Sequence, residues 1–109
     1  MHVGVMRLSL TVSGARSLKD KRQVVRSFKE RVKSRLGVSI AEIGHQDKIQ
    51  RATFGVAVVS ADAGVCEQML TNVISMASTL PNAILSDRAF EIMPFGENGS
   101  GVRGGIGED

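Results

Sequence analysis

The sequence predicts an α+β fold in which two helices cover one face of a four-stranded antiparallel sheet. Segments that alternate apolar and polar residues, or are rich in β-branched residues, are typical of strands. Two segments instead carry apolar residues at three- and four-residue spacing, which is typical of amphipathic helices. The length of 109 residues, 42% of them hydrophobic, suits one domain with one modest core.

The first strand and the first helix have the clearest patterns. Between Met6 and Val12 the even positions are apolar and the odd positions polar, which predicts a strand with one buried face. After a short loop, Ser17 is a good N-cap, with Asp20 three residues later in a capping-box arrangement. Gly37 is the natural C-terminal stop. The helix between them has a predicted buried stripe of Leu18, Val25, Phe28, Val32 and Leu36.

The second half predicts a hairpin, a helix and a final strand. Val38 to Ile43 and Arg51 to Ser60 are β-rich segments separated by a turn, so they are expected to pair. A second helix follows and ends at Pro81, and a last strand runs from Ala83 to Phe95. The apolar stripe predicted for the second helix is Val65, Met69, Val73, Met76 and Leu80.

The order β-α-β-β-α-β corresponds to the ferredoxin-like sandwich, which is two β-α-β units sharing a hairpin. Right-handed crossovers place both helices on the same face and leave the other face open. Residues 1–95 are therefore predicted to form one domain. Residues 96–109 contain six glycines and are predicted to form a flexible tail.

Composition excludes several classes of protein. A single cysteine excludes a disulfide scaffold and a cysteine-rich zinc site. No apolar run approaches the roughly 18–20 residues of a membrane span, and the first ten residues do not resemble a signal peptide. There is neither a dinucleotide-binding GxGxxG nor a Walker loop. We expect a cytoplasmic protein without a metal or cofactor.

The distribution of charge is the main functional signal. Residues 1–36 carry ten basic and two acidic residues, whereas residues 37–109 carry four and nine. Five cations of the first helix recur at steps of three and four residues, which places them on one stripe. They are Lys19, Arg22, Arg26, Lys29 and Lys33. An anionic partner such as RNA or the ribosome would explain this stripe, although a solvated face, or one screened by acids of the second half, is an alternative.

The loop before the first helix predicts a second anion-binding feature. Arg16 and Ser17 lead into the backbone N–H groups at the helix start, close to Lys19, Lys21 and Arg22. Such an arrangement suits a phosphate or a carboxylate, and the alternative is that the loop only caps the helix.

Three polar residues around the hairpin have open interpretations. Glu42 shares the strand phase of Ile40, which directs its carboxylate toward the apolar side unless it reaches solvent or pairs with Arg51. His45 and Asp47 are expected to form the hairpin turn, with an acid/base or ligand pair as the alternative.

The open sheet face is predicted to suit a protein partner better than nucleic-acid bases. The chain has four Phe and neither Trp nor Tyr, and Phe54 shares the inward phase of Val56. The outward residues of that strand are small or mildly apolar, and sheet-face RNA readers need exposed aromatics there. A homodimer formed through this face, without any role in nucleic-acid binding, is therefore the alternative function. The outward residues are Thr53, Gly55, Ala57 and Val59.

Several motifs resemble those of the DUF503 or YlxP-like family of small bacterial cytosolic proteins. They are Ser17-Leu18-Lys19-Asp20-Lys21-Arg22, Ser39-Ile40-Ala41-Glu42, Gln46-Asp47, Arg51-Ala52 and Gly55 to Ser60. The resemblance implies a ferredoxin-like fold and brings no established activity. The family's association with translation genes suggests work on RNA or the ribosome.

Acylphosphatases share this fold and are the enzyme alternative. Arg16 imitates their substrate-binding arginine, but the strand from Arg51 to Ser60 lacks the asparagine that orients their water. We therefore expect that the protein is not an enzyme.

Overall fold

A computed structural model describes residues 1–96 and confirms the predicted order of elements. The sheet is antiparallel with the strand order β2-β3-β1-β4, and both helices pack against it as in ferredoxin-like proteins. The predicted tail lies outside the described residues apart from Gly96. The elements are β1 (His2–Thr11), α1 (Leu18–Leu36), β2 (Ser39–Gly44), β3 (Arg51–Ser60), α2 (Ala63–Ser78) and β4 (Ile84–Pro94).

The core lies between the sheet and the two helices. The even residues from Met6 to Val12 are buried as predicted, and Leu8 and Leu10 are fully buried. Phe54 of β3 is also inward, and its ring packs edge-on against Phe28 of α1 with centroids 5.3 Å apart. Such aromatic pairs contribute about 0.5–1.5 kcal/mol beyond the area they bury. This contact fixes α1 over the centre of the sheet.

Both ends of α1 are capped as the sequence predicts. The backbone N–H of Asp20 donates to Ser17 Oγ at 3.1 Å, which satisfies one of the free donors of the first turn. At the other end Gly37 has a φ of 65°, in the left-handed region, and its N–H donates to the carbonyl of Lys33 at 3.0 Å. The helix therefore presents a straight, well-defined run of side chains between the two caps.

The predicted buried stripe of α2 is wrong at its first position. Val65 is 45% exposed, and Cys66 is fully buried in its place. The reason lies in β1, where a Cβ on Gly4 would come within 3.3 Å of Cys66 Cβ and 3.1 Å of Leu70 Cδ1. Because Gly4 has no side chain, Cys66 and Leu70 of α2 can approach β1 closely, and Cys66 faces the sheet instead of Val65. The buried residues of α2 are Cys66, Leu70, Val73, Ile74 and Ala77.

The last strand runs without a break through Ser86-Asp87-Arg88, three polar residues within a segment that is otherwise mostly apolar. The register of its pairing with β1 shifts between Ser9 and Leu10, which indicates a β-bulge at this point. Ser86 Oγ donates to the carbonyl of Ser9 at 3.2 Å beside this shift. No helix within residues 1–96 has the length and apolar character needed to cross a membrane.

Candidate anion-binding surface

Five cations of α1 form an exposed line, which we call the basic stripe. Four of the five side chains are exposed and that of Lys29 is half-buried. The ion pairs found within residues 1–96 are Arg7–Asp87 and Lys21–Glu42, so no cation of the basic stripe has an acidic partner there. No acid of the second half therefore forms an ion pair with the basic stripe among the described residues. The basic stripe consists of Lys19, Arg22, Arg26, Lys29 and Lys33.

The basic stripe lies on the flank of α1 that faces away from α2. The opposite flank, with Val24, Ser27 and Arg31, lines a groove of about 210 Å³ against Leu80 and Pro81 at the end of α2. Successive helix positions differ by about 100°, so the stripe positions turn away from this groove and toward the β2 side of α1. The stripe therefore borders open solvent along its length.

The start of α1 is capped by its own side chains. Ser17 Oγ accepts from Asp20 N–H, and the Asp20 carboxylate accepts from the backbone N–H of Arg16 at 3.1 Å. This differs from a capping box, in which the carboxylate would accept from the N–H of the N-cap residue itself, here Ser17. The capping alternative therefore describes Ser17, whereas the side chain of Arg16 remains exposed near the first turn.

Lys21 does not belong to the exposed surface, which corrects its place among the predicted anion-binding residues. It is 1% exposed, and its ammonium donates to the carbonyls of His45 at 2.7 Å, Gln46 at 3.3 Å and Arg51 at 3.1 Å. Its Nζ also lies 3.2 Å from Oε2 of Glu42. An ammonium has three donors, and all are used inside the protein.

The sequence contained a signal for this buried pair. Lys21 is in phase with Val25, Phe28 and Val32 on the apolar side of α1, just as Glu42 is in phase with Ile40 on β2. Two opposite charges, each placed on the inward side of its own element, favour a mutual pair. The carboxylate of Glu42 therefore pairs with Lys21, and neither predicted alternative, an exposed carboxylate or a pair with Arg51, is found.

A chain of polar contacts occupies the loop end of the open sheet face. His45 Nδ1 lies 2.8 Å from Thr53 Oγ1, which lies 2.9 Å from Ser9 Oγ. Ser9 and Thr53 face away from the helices, as predicted, yet they are buried. His45 has a φ of 60° in the predicted turn and bonds to Thr53 rather than forming a pair with Asp47. Within the part of the chain that the structure describes, no group of three or more metal-ligating side chains forms.

The family follows from comparison with known proteins. A family model described as a protein of unknown function, DUF503, matches residues 3–89. The chain belongs to the DUF503 family. It is 37% identical over 79 residues to the uncharacterized protein YlxP of Bacillus subtilis (strain 168), covering 72% of this chain and 86% of that protein.

A solved structure with a similar shape is a variant of SnoaB, a cofactor-independent oxygenase from Streptomyces nogalater. The two are 14% identical with a TM-score of 0.48, over 91% of this chain and 97% of that chain.

Motifs that carry the DUF503 resemblance meet around the hairpin loop. Ser17 caps α1, the Asp20 carboxylate accepts from the N–H of Arg16, and Lys21 pairs with Glu42. Gln46 Nε2 then donates to the carbonyl of Glu42 at 3.2 Å. These motif residues build one end of the molecule, while the cations of the basic stripe extend along α1 from that end.

Proposed function

We propose that this DUF503 protein is a cytoplasmic, non-enzymatic RNA-binding accessory protein that contacts the phosphate backbone through its basic stripe and Arg16. The observation that carries the proposal is the row of five cations without an acidic partner among residues 1–96. Ribosomal RNA is the form of RNA that we favour, because it offers dense phosphate on a folded surface.

The arrangement has an energetic cost that a polyanion would offset. Like charges four residues apart destabilise a helix by about 0.2–0.5 kcal/mol each. The stripe contains two such pairs, Arg22 with Arg26 and Lys29 with Lys33. Lys19 also sits in the first turn, where a cation opposes the helix dipole. Phosphates bound along the stripe would attract these cations and so offset the repulsion between them.

The length and rigidity of the stripe suit a backbone rather than a single phosphate. At about 1.5 Å per residue, the distance from Lys19 to Lys33 is roughly 21 Å. Phosphates of one strand are spaced a few ångströms apart, so the stripe spans several of them. Phosphate contacts of this kind supply affinity without base specificity.

The sheet offers nothing with which to read bases. The aromatic residue of the central strands is Phe54, which is fully buried in the core. Base stacking on a sheet needs exposed aromatics at those strands. We therefore assign the open face no part in RNA binding.

The proposal is tested by reversing three charges of the stripe. Fluorescence anisotropy would measure the binding of a labelled mixed-sequence RNA hairpin to the wild-type protein and to the R22E/R26E/K29E variant. For about five phosphate contacts, wild-type affinity should fall by roughly 10²–10³-fold between about 50 and 200 mM salt. The variant should show no measurable binding at either salt concentration.

Two matched variants test whether RNA binding depends on where a cation lies or only on the net charge of the protein. Arg26→Glu and Arg88→Glu make the same exchange at exposed arginines, one on the stripe and one on β4. Arg26→Glu should weaken RNA binding strongly, and Arg88→Glu should leave it nearly unchanged. Equal losses in both, or full binding by the triple variant, would refute the stripe as the binding surface.

A further inference from the structure

The sheet face opposite the helices has an apolar half that nothing in the described chain covers. Val3 of β1 pairs with Val59 of β3 on one side and with Met93 of β4 on the other. Val5, two residues on, pairs with Ala57. Val59 is 63% exposed, and Met93 and Ala57 are also exposed. Three neighbouring strands therefore present a continuous apolar surface.

Small residues make this surface flat toward both edges. On the β2 side, Ala41 lies opposite Gly55, and a Cβ on Gly55 would lie 3.2 Å from Cγ2 of Ile43. On the β4 side, Ala89 pairs with Arg7. These small side chains, with an exposed isoleucine near each edge, suit a partner that is itself a sheet, while Arg7 and Asp87 project at the middle of the face. The edge isoleucines are Ile43 and Ile84.

Four of the polar side chains on the same face are already paired with one another. Arg7 and Asp87 form an ion pair at 3.2 Å, and the hydroxyls of Ser9 and Thr53 lie 2.9 Å apart. A partner that covers them need not supply polar groups of its own, so burial leaves few unpaired donors or acceptors.

The net charge of the open sheet face indicates which class of partner can bind it. The two arginines of the face, Arg7 and Arg51, are equal in number to its two acids, Asp87 and Glu91, so the face is close to neutral. A polyanion therefore gains nothing here, in contrast to the basic stripe on α1. Two copies of the face can approach each other without strong repulsion, and their apolar halves are complementary under a two-fold rotation.

The area is sufficient for such a pair. Strands about 4.8 Å apart that rise about 3.3 Å per residue give a four-stranded face of roughly 600 Å². Two faces in contact bury roughly 1,200 Å², at the lower end of specific interfaces.

We propose that a second copy of this chain packs on the open sheet face, forming a two-fold dimer through Val3, Val5, Ala57 and Val59. The helices then lie on the two outer surfaces of the dimer, and each outer surface carries one basic stripe. The proposal is independent of RNA binding, because its surface and its test involve no nucleic acid.

The test is the oligomeric state of the full chain by sedimentation velocity across the micromolar range. The wild type should change from monomer to dimer as concentration rises. Val59→Glu places carboxylates in the interface and should weaken self-association by more than about 100-fold, since like charges held together cost several kcal/mol. Val65→Glu, at the exposed valine of α2, is the matched control and should leave the dimer intact.

A second variant guards against loss of folding. Ala57→Lys places a different charge at another exposed position of β3 and should give the same monomeric protein, with a circular dichroism spectrum like that of the wild type. A wild type that stays monomeric throughout, or folded Val59→Glu and Ala57→Lys variants that still dimerise, would overturn the proposal. If the wild type is monomeric and still binds RNA, the dimer proposal is overturned and the proposed function is not.

Discussion

The ammonium of Lys21 and the carboxylate of Glu42 lie 3.2 Å apart beneath the β2–β3 hairpin, and the lysine is almost completely buried. The same ammonium donates to the carbonyl of Arg51 at the start of β3 and to two carbonyls in the turn. One side chain of α1 thus holds the end of β2, the turn and the start of β3. A surface cation would contribute none of these contacts.

Replacing Lys21 by methionine should destabilise the fold by about 3–5 kcal/mol, because it leaves the Glu42 carboxylate without its counter-charge and three carbonyls without their donor. Urea unfolding followed by circular dichroism would measure the loss. Lys19→Met, at the exposed lysine two residues earlier, should change stability by less than about 0.5 kcal/mol. The double variant K21M/E42L should recover part of the loss, and an undiminished loss would contradict the charge argument.

The Arg7–Asp87 pair should behave differently although its distance is also 3.2 Å. Both side chains are about half exposed, so water already solvates the charges. Removing one partner by Asp87→Ala should cost no more than about 1 kcal/mol, with a dependence on salt. Thermal unfolding of a dilute sample at low and high salt would show it. A loss comparable to that of Lys21→Met would contradict the assignment of the pair to the surface.

Any side chain at position 4, in place of Gly4, should lower the stability of the fold. Its Cβ would lie 3.0–3.3 Å from atoms of Val58, Leu70 and Cys66, all of which are held by the core or the sheet. Gly4→Ala should therefore destabilise by about 1–3 kcal/mol through overpacking. Gly14→Ala is the control, since its Cβ would meet only the side chain of Asn82 at 3.4 Å or more. Equal denaturation midpoints for the two variants would show that α2 has freedom to move away from β1.

Sequence periodicity predicts the elements well because each has one buried side. The alternation from Met6 to Val12 and the spacing of Val25, Phe28 and Val32 are confirmed by burial. Such patterns fix which side of an element is covered, and the β-α-β-β-α-β order then leaves one reasonable arrangement.

The errors arise where another element decides the outcome. Val65 continues the apolar spacing of α2, but the room left by Gly4 on a distant strand brings Cys66 inward instead. Lys21 belongs to a run of cations by composition, yet its position on the helix and the carbonyls of the hairpin make it an internal residue. Periodicity already places Lys21 on the inward side of α1, but the acceptors that it meets there, like the room beside Cys66, depend on contacts across the fold.

The bonds from Lys21 to the hairpin also determine how the neighbouring cations meet a ligand. Helix ends normally fray, but the first turn of α1 is joined to the sheet through Lys21 and closed by Ser17 and Asp20. Lys19 and Arg22 therefore project from backbone that is already ordered before any phosphate arrives. Little backbone entropy is lost on binding, so α1 excised as a free peptide should be a much poorer ligand for RNA than α1 within the protein.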